Sequence, residues 1–87
     1  MSYSKILART AILLQLREAS PVQMPLKNLL CGLKIASFQI SEPELLRELD
    51  YLEKKGYIKI SEDEISPSYK RCALMAAAYD YLERRGF

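Results

Sequence analysis

SEPELLRELDYLEKKGYI, residues 41–58, carries a start signal and a stop signal for a helix and runs on into a strand. Ser41 is placed to be an N-cap, and Glu44 stands three residues on, where its side chain can reach back to the Ser41 N–H in a capping box. Pro43 falls in the first turn, where its missing N–H is not needed. Ile40 and Leu45 can close a hydrophobic staple across the cap. Leu45, Leu49 and Leu52 recur at i, i+4, i+7 and make one apolar stripe. Lys54 and Lys55 place positive charge in the last turn, which suits the helix dipole. Gly56 can take the left-handed position after the helix, with Tyr57 folding back on Leu52. Residues 57–60, Tyr-Ile-Lys-Ile, then read as a strand.

A capped helix, a glycine stop and a strand in this order resemble the second half of a winged helix-turn-helix. The spacing of turn, helix and last helix is also similar to small winged-helix proteins of Mu-like prophages. The resemblance covers nearly the whole chain and implies an α+β fold: a three-helix core, a small antiparallel β-wing and a C-terminal helix. It implies a DNA-binding module, with the 41–55 helix as recognition helix in the major groove and the wing on the backbone or minor groove.

Outside this stretch, 87 residues make one domain, 1–87, with room for only a small core. With 49% hydrophobic and 28% charged residues the composition is ordinary globular, and a net charge of +2 does not by itself call for nucleic acid. There is no histidine, which removes the commonest general base and metal ligand. Cys31 and Cys72 lack the spacing of a zinc site and sit among apolar residues, so both are expected as buried free thiols, as suits a reducing cytoplasm. The N-terminus has no signal-peptide core, and no apolar run approaches membrane-spanning length. No nucleophile elbow, zinc-protease motif or phosphate-binding glycine loop is present, so neither an enzyme nor a cofactor is expected.

Residues 4–19 read as a first helix with Ser4 a possible cap. Its apolar residues cover nearly the whole circumference, so it is expected to be buried on more than one side, either against a second subunit or as the central helix of a monomer. Ser20-Pro21 ends it. Residues 22–24 read as a short strand and Pro25 as the first residue of a second helix, whose Leu26, Leu29, Leu30 and Leu33 form one stripe. Gly32 inside that helix costs about 1 kcal/mol against alanine and marks either close packing or an early helix end. Residues 35–40 form the turn.

After the strand, residues 61–64 are a turn. Residues 66–85 then read either as one helix or as a wing tip at 66–68, a returning strand at 69–73 and a final helix from about Leu74. The second is preferred, because the strand at 57–60 needs a partner. Met75, Tyr79 and Leu82 make a stripe on that last helix, and its alanine run lets another helix come close. Homodimerisation is therefore expected through the Ile6–Leu16 helix, the Leu74–Arg85 helix or both. Residues 50–57 (DYLEKKGY) match residues 80–87 (DYLERRGF) in chemistry at every position. The repeat reads as one helix-stop cassette used twice.

Opposite its leucine stripe the 41–55 helix shows Pro43, Arg47, Asp50, Tyr51 and Lys54. If the resemblance holds, Arg47, Tyr51 and Lys54 would be the readers: arginine can pair with guanine, and lysine or tyrosine can hold phosphate. The plain alternative is a solvated face with pairs such as Asp50–Lys54. Residues 42–64 hold four basic and eight acidic side chains, a charge of −4, and the rest of the chain is +6. The half that should approach phosphates is thus the acidic one. DNA contact would then draw on Lys27, Lys34, Lys70 and Arg71, or the domain binds a basic protein through its acidic helix instead.

Overall fold

The helix read from residues 41–58 forms with both of its signals in place. In a computed structural model describing residues 5–66 and 69–87, the Ser41 N–H donates to Glu44 Oε1 at 2.9 Å, and the Glu44 N–H donates to Ser41 Oγ at 3.3 Å. The two bonds close the capping box on two otherwise unpartnered amide groups. They hold the Glu44 carboxyl below its ordinary value, the Ser41 backbone N–H being the largest cause and Arg47 adding to it. A carboxyl held low in the folded state contributes stability above its unfolded pKa and loses it as the pH falls through the folded one.

At the other end Gly56 has φ +79°, its N–H reaches the Glu53 carbonyl, and the Tyr57 N–H reaches the Leu52 carbonyl. This pair of bonds is a Schellman ending, and it turns the chain out of the helix into a strand. The second half of the repeat ends its helix identically: Gly86 has φ +86° and Phe87 bonds back to Leu82. A third such ending follows the second helix, where Ser37 takes φ +70° and Phe38 bonds back to Leu33.

The elements run α1 (Lys5–Ala19), β1 (Met24–Pro25), α2 (Leu26–Ile35), α3 (Glu42–Lys54), β2 (Ile58–Glu62), β3 (Lys70–Leu74) and α4 (Ala76–Arg84). The fold is therefore α+β. β3 lies in the centre of an antiparallel three-stranded sheet of order β1-β3-β2, with Ile60 opposite Cys72 and Met24 opposite the same residue on the other side. The side chains of Ile58, Ile60, Cys72 and Leu74 alternate onto one sheet face and pack toward the leucines of the helices.

α1 is the central helix. It packs against α2, α3, α4 and β3 and buries Ala8, Ile12, Leu13 and Leu16. Gly32 marks the close approach of α2: a Cβ there would overlap the side-chain amide of Gln15 on α1. α2 accordingly does not end at Gly32 but runs on to Ile35.

Several sequence expectations shift. The first strand is Met24–Pro25 rather than 22–24, and Pro25 is the residue before α2 rather than its first. The returning strand is Lys70–Leu74, one residue later than 69–73, and α4 starts at Ala76 after Met75. Ser4, Pro67 and Ser68, read as a cap and part of the wing tip, lie outside the described residues. The stripe of α4 that reaches the core is Ala78 and Leu82, whereas Met75 and Tyr79 are exposed, Met75 because it precedes the first helical turn. Cys31 is not buried. It lies on the side of α2 away from Leu26, Leu29 and Leu33, so only Cys72 enters the core. Burial, with a smaller contribution from Glu53, pushes the Cys72 thiol up to about 11.

A Cβ at Gly56 would meet nothing within 4 Å, so a substitution there tests backbone conformation alone. Gly56→Val is expected to destabilise the protein by about 1 kcal/mol or more, read from thermal melts, because a β-branched residue resists the left-handed region. Unchanged melting would mean that the Schellman ending is not required.

Candidate functional site

The carboxylates of α3 and its flanks are mostly engaged inside the molecule. Glu48 is buried, and Arg9 Nε of α1 lies 2.5 Å from its Oε1. Glu53 accepts the Ile60 N–H at 2.9 Å and so holds the start of β2 against α3. Asp50 pairs with Lys54 at 3.0 Å in an exposed i,i+4 contact. Asp63 accepts the N–H groups of Ile65 and Ser66 at the turn after β2. Glu62 pairs with Lys70 across the β2–β3 ladder at 2.6 Å. Glu42 and Glu64 have no hydrogen bond or ion pair among the described residues.

The candidate readers stay together. Arg47, Tyr51 and Lys54 stand on the outer face of α3, all exposed, since Tyr51 is four residues after Arg47 and three before Lys54. Tyr51 is at the edge of that face nearer α1, where the Arg9 guanidinium lies 3.8 Å from its ring centre.

Lys27 and Lys70 are brought together around a hollow of about 220 Å³, shared with Tyr69 and with Glu42 at the start of α3. Lys34 is apart from them, beside a shallow depression formed by the α2–α3 connection. Arg71 is half-buried on the sheet. Its Nε is buried without a hydrogen-bond partner among the described residues, and its guanidinium stands 5.9 Å from the Tyr69 ring centre.

One feature was not found by reading single residues. The N-terminal half of α1 and the C-terminal ends of α3 and α4 enclose a cleft of about 300 Å³. Three tyrosines, Tyr51, Tyr57 and Tyr81, and three cations, Arg9, Lys55 and Arg85, line it over a base of Leu13 and Leu52. The Tyr57 and Tyr81 rings are 5.4 Å apart. The signal for it was present in the repeated residues 50–57 and 80–87, because both copies deliver their tyrosine and their helix-ending cation to this one cleft.

Among the described residues no group of His, Cys, Asp and Glu is placed to hold a metal ion, and no helix is long and apolar enough to cross a membrane. No family model and no curated protein matches the chain.

Proposed function

We propose that this chain is a winged-helix DNA-binding protein, a transcriptional regulator or phage-type accessory factor, that acts as a non-enzymatic homodimer in a reducing cytoplasm. One observation carries the reading: most acids of α3 have structural tasks, and the one at its centre, Glu48, is buried against a cation of α1. Glu44 closes the cap, Glu48 lies under Arg9, and Glu53 holds the Ile60 N–H. What α3 offers outward is led by Arg47, with Lys54 shared by Asp50.

The element order supports the same reading. α2, a short connection and α3 are followed by the β2–β3 hairpin, the arrangement in which a helix enters the major groove and a hairpin flanks it. Arg47 would read a base edge. Lys54 of α3 and Lys27 and Lys34 of α2 would hold phosphates. Tyr51, 39% exposed beside Arg47, would hold a phosphate at the edge of the same face, with one side of its ring against Arg9. The rival reading, an acidic α3 binding a basic protein, loses Glu48 to the interior. It keeps Glu42 and Glu64 as exposed acids without partners among the described residues.

The dimer rests on apolar residues left at the surface. Ile6 and Leu7 of α1 are 63% and 62% exposed, and Met75 and Tyr79 are also exposed at the start of α4. Sedimentation at micromolar concentration is expected to give a species twice the 10.0 kDa of the chain. A clean monomer would remove the dimer.

For the DNA reading, wild type is expected to bind mixed duplex at about 50 mM salt, where phosphate contacts are weakly screened. Arg47→Ala should weaken a preferred duplex by about 1–3 kcal/mol. Lys54→Ala should weaken all sequences alike and reduce the salt slope by about one phosphate. Fluorescence anisotropy reads all three. Wild type that fails to bind, while Glu42→Lys with Glu64→Lys binds, would overturn the DNA reading in favour of a basic protein partner.

A further inference from the structure

The cleft between the ends of α3 and α4 is a second place where the chain gathers unneutralised charge. The repeat gives it an internal symmetry. Lys55 and Arg85 are the C-cap residues of their helices, each ended by a left-handed glycine. Each cation lies over the tyrosine four residues earlier: Lys55 Nζ is 5.6 Å from the Tyr51 ring centre, and the Arg85 guanidinium is 5.7 Å from that of Tyr81. The two cation–tyrosine pairs face the same space, with Tyr57 set against Tyr81.

The cleft is lined by no acidic residue. Arg9 is neutralised in part by Glu48, but Lys55 and Arg85 have no ion pair among the described residues. Two cations held at a concave surface against aromatic walls favour an occupant with the opposite charge and a flat apolar body. A space of about 300 Å³ is at the small end of ligand sites and fits one ring system with its charged group. Ile6 and the tyrosine rings, above the buried Leu13 and Leu52, would take the ring. Lys55 and Arg85 would take the charge, and the tyrosine hydroxyls could complete its hydrogen bonds.

We infer that this cleft binds a small aromatic anion, a molecule with one ring system and one carboxylate or phosphate group, between the C-terminal ends of α3 and α4. The inference does not depend on DNA binding, because Lys55 and Arg85, which carry it, are outside the proposed reader set and Tyr51 alone is shared with it.

The test is a titration of the intact chain with phenyl phosphate, phenylacetate and adenosine monophosphate, followed by proton–nitrogen correlation spectra. Benzyl alcohol and benzylamine are the neutral and cationic controls. At least one anion is expected to give saturable shifts at the amides of Tyr51, Lys55, Tyr57, Tyr81 and Arg85, while the controls give none there. Lys55→Gln with Arg85→Gln should weaken that binding by about tenfold or more, with the fold judged intact from the same spectra. If the double variant fails to fold, Lys55→Gln alone is read, with the same direction expected. Tighter binding of adenosine monophosphate than of phenylacetate would assign the anion to a nucleotide, and the reverse to an aromatic carboxylate. No saturable shift up to about 10 mM, equal binding of benzyl alcohol, or variants that bind as wild type would overturn the inference.

Discussion

One guanidinium, that of Arg9, ties the first helix to the third. Its Nε lies 2.5 Å from a carboxylate oxygen of Glu48, and its central carbon lies 3.8 Å from the Tyr51 ring centre. Glu48 is only 4% exposed. A carboxylate so placed is costly unless it is paired, and removing one partner from such a pair costs far more than the pair is worth over two apolar residues. The pair therefore sets the position of α3 against α1 more than it adds net stability. The choice of arginine matters, because the same planar group can pair with a carboxylate and stack on a ring, which a lysine ammonium cannot do as well.

That contact also decides what α3 presents to a partner. It takes one acid off the accessible part of the helix, sets one side of the Tyr51 ring against α1, and leaves Arg47 as the exposed cation of the outer face without an ion pair among the described residues. The charge count along the chain put the acidic half where phosphates would come. The structure changes the meaning of that count without changing its value: the Glu48 charge is offset by Arg9, whereas Glu44 and Glu53, bonded to neutral amides, keep theirs.

Much of the fold was legible because its signals are local. The capping box at Ser41 and Glu44 and the left-handed Gly56 depend on residues close in sequence, and the strands read at 57–60 and 69–73 fall within about two residues of the observed Ile58–Glu62 and Lys70–Leu74, the first running on through part of the expected 61–64 turn. What was missed depends on contacts between distant segments or on a residue outside its usual role. Arg9 and Glu48 are 39 residues apart. Ser37 ends α2 in the left-handed conformation without being glycine, so no sequence signal marked it. Cys31 looked buried from its apolar neighbours, yet the helical rotation puts it opposite Leu29 and Leu33. The repeated cassette was read correctly as a helix stop, and its second consequence, that both copies meet at one cleft, required the packing of α3 beside α4.

The central claim is that Glu48 is a structural partner of Arg9 and not a free acid on a binding face. A double-mutant cycle of Arg9→Met and Glu48→Gln, with unfolding measured in denaturant, tests it directly. Each single change is expected to destabilise the protein, and the double variant should recover part of the loss, giving a favourable coupling of about 1 kcal/mol or more. Single effects that add to within about 0.3–0.5 kcal/mol would contradict the account, returning Glu48 to the accessible acids of α3.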